Sequence, residues 1–278
     1  MTSSWKDKYF TYPTPKIVLV LIVLWIVSCE GNQLTHYNED GTIDSEGLLV
    51  EGKKEGEWKF YENSGKLEEV SNWKDGEVNG ISSTFYANGQ LKSKAIWKSG
   101  LLDGLQQIWT DNGELLQEVN WKDDKKEGNF NSYYEDGVKA SEGYFKADLE
   151  EGVFKVFYEN SQLSEESYWL NGRRDGRTMT YSPEGQVLSE GSYKVDLRVG
   201  EWKYYFKNGK LKESCNWKQD VVNGLAEYYH PNGNLAEKGT FLNNLKEGSW
   251  QFFDSTGNFL RESTFAKDQC IADCDIKN

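Results

Sequence analysis

The sequence predicts an all-β fold, an elongated single array of antiparallel β-hairpin repeats, and three observations predict it. One glycine recurs every 24 residues without a slip, from Gly56 through Gly80, Gly104, Gly128, Gly152, Gly176, Gly200 and Gly224 to Gly248. Five residues after each anchor glycine stands an aromatic: Tyr61, Phe85, Trp109, Tyr133, Phe157, Tyr181, Tyr205, Tyr229 and Phe253. Seventeen residues after it stands another: Trp73, Trp97, Trp121, Phe145, Trp169, Tyr193, Trp217, Phe241 and Phe265. At 14% aromatic composition, nine matches in nine copies at two positions do not arise by chance. A fixed period of this kind is the signature of stacked repeats.

Each copy reads strand, tight turn, strand, second turn. A second glycine follows the anchor by nine residues in eight copies, with Ser161 replacing it in the fifth, and Asn or Asp often precedes it, as at Asn88 and Asn232. Asn-Gly and Asp-Gly tolerate the positive φ that hairpin turns demand. A three-residue loop ending in that glycine places Tyr61 opposite Leu67 and Glu62 opposite Lys66. Period-2 alternation then puts Leu67, Ser71 and Trp73 on one face. Two residues before each Trp73-type ring the side chain is small (Ser71, Ala95, Gly143, Ser167, Gly191, Cys215, Gly239, with Val119 the largest), so rings can lie flat over the neighbouring strand. The opposite face is expected to carry Trp58, Phe60, Phe130, Phe154, Trp202, Tyr204, Tyr228, Trp250 and Phe252. These are either an exposed platform for a peptide or glycan or ordinary second-face packing by twist. A lone hairpin is marginal in water. Stacking buries one face, and stability becomes a sum of neighbour terms. Nine units of two strands at about 4.8 Å each make a ribbon roughly 85 Å long.

The Gly-x-Trp-x-x-Tyr element of Gly200-Glu201-Trp202, the Asn-Gly-x-Leu element of Asn208-Gly209-Lys210-Leu211, and the aromatic-Lys-x-Gly element of Trp73-Lys74-Asp75-Gly76 together resemble MORN-variant repeats. The resemblance covers about residues 37–265. It implies a binding or scaffold role and brings no catalytic residues with it. Such repeats also occur in bacterial lipoproteins and in antitoxin-type proteins.

The flanks suggest an address. Residues 1–16 are polar with Lys6, Lys8 and Lys16, and an apolar run from Ile17 to Val27 leads through Ser28 to Cys29. The run is too short for a comfortable transmembrane helix and fits the core of a signal peptide. Ile26-Val27-Ser28-Cys29 resembles a bacterial lipobox, in which the cysteine is lipidated. The expected layout is a signal peptide at 1–28, lipidated Cys29 and a tether at 29–36, the array at 37–265 with an N-terminal half-unit as cap, and a tail at 266–278. The expected location is the bacterial cell envelope, at the outer membrane or surface. A net charge of −13 disfavours nucleic acid, which needs a basic footprint. It suits a solvated, monomeric array.

Nothing in the chain reads as catalytic machinery. The two histidines, His36 and His230, lie far apart, and His230 sits at a hairpin turn where other copies carry Tyr86 or Tyr134. No metal-ligand spacing and no cofactor motif occurs. Acidic turns such as Asp123-Asp124 and Asp148 lack the ligand spacing of calcium loops and read as solvated turns. Cys215 lies in the small-residue column and reads as core. Cys270 and Cys274, in an exported chain, are placed to form a disulfide, and their pairing stays open at this point. The function expected is a non-enzymatic, lipid-anchored scaffold for a protein or glycan partner, with Trp202, Tyr204 and Trp250 as contact residues. The alternative is an antitoxin-like protein that binds and neutralises a toxin.

Overall fold

The computed structural model describes residues 31–274; the expected signal peptide and Cys29 lie outside them. Twenty-two strands form one antiparallel sheet. The strands follow one another as a continuous meander, each pairing with its sequence neighbour. A two-residue strand, Leu149–Glu150, and Gly152–Phe157 share one place in that order.

Two turn types alternate along the ribbon, and each follows from its residues. Within a unit, Gly65 N donates to Glu62 O at 2.8 Å and Glu62 N to Lys66 O at 2.8 Å, with Gly65 at φ +76°. This is a type I turn closed by a glycine in the left-handed region. Between units the turn has two residues, both at positive φ, as at Asp75 (52°) and Gly76 (86°). Where the second is not glycine it is Asp or Asn, as at Asp124, Asp148, Asp196, Asp220 and Asn244, the side chains that tolerate this region best.

Register agrees with the sequence reading, since Tyr61 faces Leu67. The faces do not. Phe60 pairs with Glu69 and Tyr61 with Leu67, so Glu68 is an extra residue in the second strand. This bulge breaks the period of two. Leu67 therefore goes with Tyr61 rather than with Ser71 and Trp73. Trp58 pairs with Ser71, which puts the rings expected opposite the Trp73 column on the same face as that column.

Both ends differ from expectation. Residues 32–36, read as tether, belong to an edge strand, Asn32–Tyr37, which pairs with Ile43–Val50. Its Tyr37–Ile43 pair repeats Tyr61–Leu67 one period earlier. At the other end, Gln269–Ala272 pairs with Phe259–Ala266, so the tail begins as a tenth, incomplete unit. Cys270 and Cys274 form a disulfide there, with Cα atoms 5.7 Å apart. They occupy the places of Lys246 and Trp250 in the preceding unit. Arg261 Nη1 donates to Cys274 O, and Ser263 Oγ to Asp273 O at 2.6 Å, which fastens the residues after the edge strand to Phe259–Ala266.

Candidate interaction face

The ring face is built from junctions, each made where the second strand of one unit meets the first strand of the next. A junction has a small residue, a side chain two residues after it that is a ring in all but the first junction, where it is Leu49, and a side chain eleven residues after it. Two designs recur, and the junction of Val119, Trp121 and Phe130 mixes them. In the first, the small residue is glycine and the incoming side chain is a large ring: Gly47 with Trp58, Gly143 with Phe154, Gly191 with Trp202, Gly239 with Trp250. The ring lies directly on the glycine; a Cβ at Gly239 would fall 2.2 Å from Trp250 Cδ2. The indole then donates to a carbonyl one residue beyond, from Trp58 Nε1 to Leu48 O at 3.0 Å and from Trp202 Nε1 to Ser192 O at 3.1 Å. In the second, the small residue keeps a Cβ, and the Trp comes from the same strand: Ser71 with Trp73, Ser167 with Trp169, Cys215 with Trp217. Here Trp73 Nε1 donates to Ser71 Oγ at 3.0 Å and Trp169 Nε1 to Ser167 Oγ at 2.9 Å, and the incoming side chain is small, as with Ser82, Thr178 and Ala226.

The anchor glycine takes two backbone states accordingly. It sits at φ 70–78° in Gly56, Gly152, Gly200 and Gly248, which follow glycine junctions, and at 114–146° in Gly80, Gly104, Gly128, Gly176 and Gly224. Over the first group the space beside the glycine is open, whereas over the second it is taken by a side chain such as Asn72, whose Nδ2 donates to Ile81 O at 3.0 Å.

Trp97 shows the rule by exception. Its neighbour is Ala95, which has no oxygen, and Trp97 Nε1 is buried without a partner. Ala95→Ser copies the Ser71 and Ser167 junctions. It is expected to stabilise the array by about 1 kcal/mol, read as a raised urea midpoint; a lowered midpoint would mean the indole points elsewhere.

Of the contact residues expected from sequence, Trp202 is 4% and Trp250 0% exposed. They are the core of their junctions, not surface anchors, because the glycine beneath each admits the ring into the sheet. Tyr204 is half-buried; it packs on Trp202, at 6.1 Å between ring centroids. Cys215 is fully buried, and burial pushes its thiol up to about 12, which fits an inert core position.

A column of cations two residues before the anchor covers these rings, and sequence reading missed it. Lys54 Nζ lies 4.5, 4.3 and 4.4 Å from the centroids of Trp58, Phe60 and Trp73. Lys246 Nζ lies 3.9 Å from that of Trp250 and Arg198 Cζ 3.5 Å from that of Trp217. The signal was the period itself, since Lys54, Lys126, Arg174, Arg198 and Lys246 share one repeat position, interleaved with Val78, Leu102, Glu150 and Val222. A cleft of about 780 Å³ opens on this face at the N-terminal end, lined among others by His36, Asp44, Ser45, Lys54, Phe60 and Trp73.

The opposite face carries the Tyr61 column, paired with carboxylates. Tyr61 Oη donates to Glu46 at 2.7 Å, Tyr205 to Glu190 at 2.7 Å and Tyr229 to Glu227 at 2.7 Å. Burial first, and the adjoining carboxylate second, push all three phenols up to about 12. A pKa raised on folding above the ordinary value near 10 gives stability that is complete below pH ~10 and lost as pH rises toward about 12. The urea midpoint is therefore expected to fall steadily between those two values; a flat profile over that window would contradict the pairing.

Both ribbon edges are tied from unit to unit. On one, Gly76 N donates to Lys54 O at 3.0 Å and Gly100 N to Val78 O at 2.9 Å. The acidic turn residues reinforce this edge: Asp124 Oδ1 accepts from Leu102 N at 2.7 Å and Asp148 Oδ1 from Lys126 N at 2.8 Å. These carboxylates are thus structural ties. Among the described residues no group of three or more His, Cys, Asp or Glu is placed to hold a metal. On the other edge, Tyr86 Oη donates to Trp109 O at 2.7 Å and Tyr134 Oη to Phe157 O at 2.6 Å. His230, at the hairpin turn where those copies carry tyrosine, makes the same tie, with Nε2 3.1 Å from Phe253 O.

Comparison with known proteins gives the same periodicity a family. No curated protein matches the chain significantly. Among solved structures, the crystal structure of TcdB2-TccC3 aligns with 84% of this chain and 16% of its own length, at 11% identity and a TM-score of 0.21. Its form without the hypervariable C-terminal region aligns with 84% and 14%, at 12% identity and 0.21. This chain spans less than a fifth of those chains, at a similarity too low to extend a fold or a role from them. The family model described as MORN repeat variant matches eight consecutive segments, at 54–75, 78–99, 102–123, 126–147, 150–171, 174–194, 198–219 and 222–243. The chain belongs to the MORN repeat variant family.

Proposed function

We propose that this protein is a non-enzymatic, lipid-anchored scaffold of the bacterial cell envelope, which holds a protein or glycan partner on its repeat ribbon. The observation that carries the reading is the construction of the sheet. Twenty-two strands run without an inserted loop, and both edges are tied from unit to unit, so the array is a stiff ribbon of recurring groups rather than a pocket of converging ones. Catalysis needs groups gathered at one point, whereas a 24-residue period spreads them along a line. The Ile26-Val27-Ser28-Cys29 segment supplies the anchor in this reading, and the Cys270–Cys274 disulfide suits an oxidising compartment. Of the three aromatics expected at the contact, half-buried Tyr204 remains a contact residue in this proposal, packed against Trp202, while Trp250 is core of another junction.

The test is the intact mass and N-terminus of the protein purified from native membranes. A chain beginning at diacylglyceryl-Cys29 is the expected result. An unmodified Met1 start, recovered in the cytosol, overturns the envelope reading and leaves the toxin-neutralising alternative as the one to pursue.

A further inference from the structure

The cleft at the N-terminal end is bordered by a cation of the column that has rings beneath it and no ion-pair partner. Two cations of this column, Lys246 and Arg174, are met by a glutamate from the preceding unit, nine residues earlier; Lys126 and Arg198 have Gln117 and Ser189 there, and Arg198 pairs instead with Asp220 at 2.9 Å. Lys246 Nζ pairs with Glu237 at 2.8 Å and Arg174 Nη2 with Glu165 at 2.8 Å. The residue nine before Lys54 is Ser45, whose Oγ is turned to Asp44 Oδ2 at 3.1 Å. Among the described residues, Lys54 has no carboxylate within ion-pair distance. Its ammonium is held over Trp58, Phe60 and Trp73 and borders the cleft of about 780 Å³. Burial lowers its pKa while Glu69 and Asp44 act on it only through space, so the site carries a partly desolvated cation without a direct counter-ion.

The lining says what would complete it. Phe60 and Trp73 offer half-buried ring surface, and His36, Asp44 and Ser45 offer hydrogen-bonding groups at its margin. Apolar walls with few, placed polar groups are the usual make-up of a ligand site. A cation shared among rings strengthens on desolvation. The ligand must bring a carboxylate to Lys54, a flat C–H surface to the rings and hydroxyls to the polar margin. A pyranose carrying a carboxylate has all three.

We propose that this cleft binds an acidic sugar, a uronic-acid unit of a glycan, with its carboxylate on Lys54 and its ring on Phe60 and Trp73. The proposal deepens the scaffold reading and rests on its glycan branch.

The test is calorimetric titration of the full chain in detergent with tetragalacturonate, its methyl-esterified form, and tetraglutamate. Tetragalacturonate is expected to bind at least tenfold more tightly than the neutral ester, as a charge-assisted hydrogen bond allows. Lys54→Met, which keeps the apolar stem over the rings, should remove that preference. Ser45→Glu should remove it too, because it installs the carboxylate that Lys246 already has, and its unfolding midpoint should not fall. Equal binding of acid and ester, binding of tetraglutamate alone, binding unchanged in Lys54→Met, or no binding at all would each overturn the proposal. Failure with the lipidated N-terminus intact sinks the sugar and leaves the scaffold; an unmodified cytosolic chain sinks the scaffold reading itself.

Discussion

Gly191→Ala should break the array near its middle. A Cβ there would lie 2.1 Å from Trp202 Cδ2 and 2.3 Å from Cε2, well inside contact distance, and the strand beneath cannot retreat without losing its ladder. The indole must leave. With it go the hydrogen bond to Ser192 O at 3.1 Å, the edge contact with Tyr193 at 5.0 Å and the stack on Tyr204. The loss should approach that of truncating a buried Trp, about 3–5 kcal/mol. Because stability in stacked repeats is a sum of nearest-neighbour terms, the damage should stay local. Hydrogen exchange should rise most across residues 187–205, and one unfolding transition should become two. Ser167→Ala at the equivalent place is the control: a Cβ is already accommodated there, and only the bond from Trp169 Nε1 is lost, about 1 kcal/mol. If Gly191→Ala were as mild as Ser167→Ala, the ring would not lie where it is described.

Trp202→Ala combined with Trp250→Ala should unfold the C-terminal half of the ribbon rather than merely weaken a surface contact. Both rings are buried, at 4% and 0% exposure. Each replacement opens a cavity over a glycine that has no side chain to fill it, at about 3–5 kcal/mol apiece. The two sites are four strands apart, roughly 19 Å, so their effects should add to about 6–10 kcal/mol. The readout is a urea titration followed by far-ultraviolet circular dichroism. Tyr204→Ala, which removes a half-buried ring, should shift the midpoint far less. If the double variant stayed folded with an unchanged midpoint, the junction core would be wrong and the two tryptophans would return to being surface residues.

Much of this protein was legible as a string because its information repeats. The 24-residue period, the two turns and the Tyr61–Leu67 register follow from Gly56, Gly65 and Tyr61 recurring in place, since turn residues act locally and a hairpin is set by its own loop. Other features belong to the same period but concern side chains that meet only after folding. Gly191 and Trp202 stand eleven residues apart and Lys54 and Trp73 nineteen. Their meanings, a seat for a ring and a cover over one, depend on which strand lies beside which. The covariation of glycine with an incoming ring was present in the letters, yet nothing local marks Gly191 as different from Ser167.

What the sequence by itself determined is the local backbone: strands of set length, turns of set type, and a meander in which each hairpin pairs with the next. What only the tertiary structure decided is which face each ring occupies. The extra residue at Glu68 shifts the alternation by one, and a one-residue shift moves every following side chain to the other face of a sheet. Whether Trp202 is a contact or a core residue therefore rested on the equivalent unpaired residue of its own hairpin, Lys212, whose effect is felt only when the ladder is assembled.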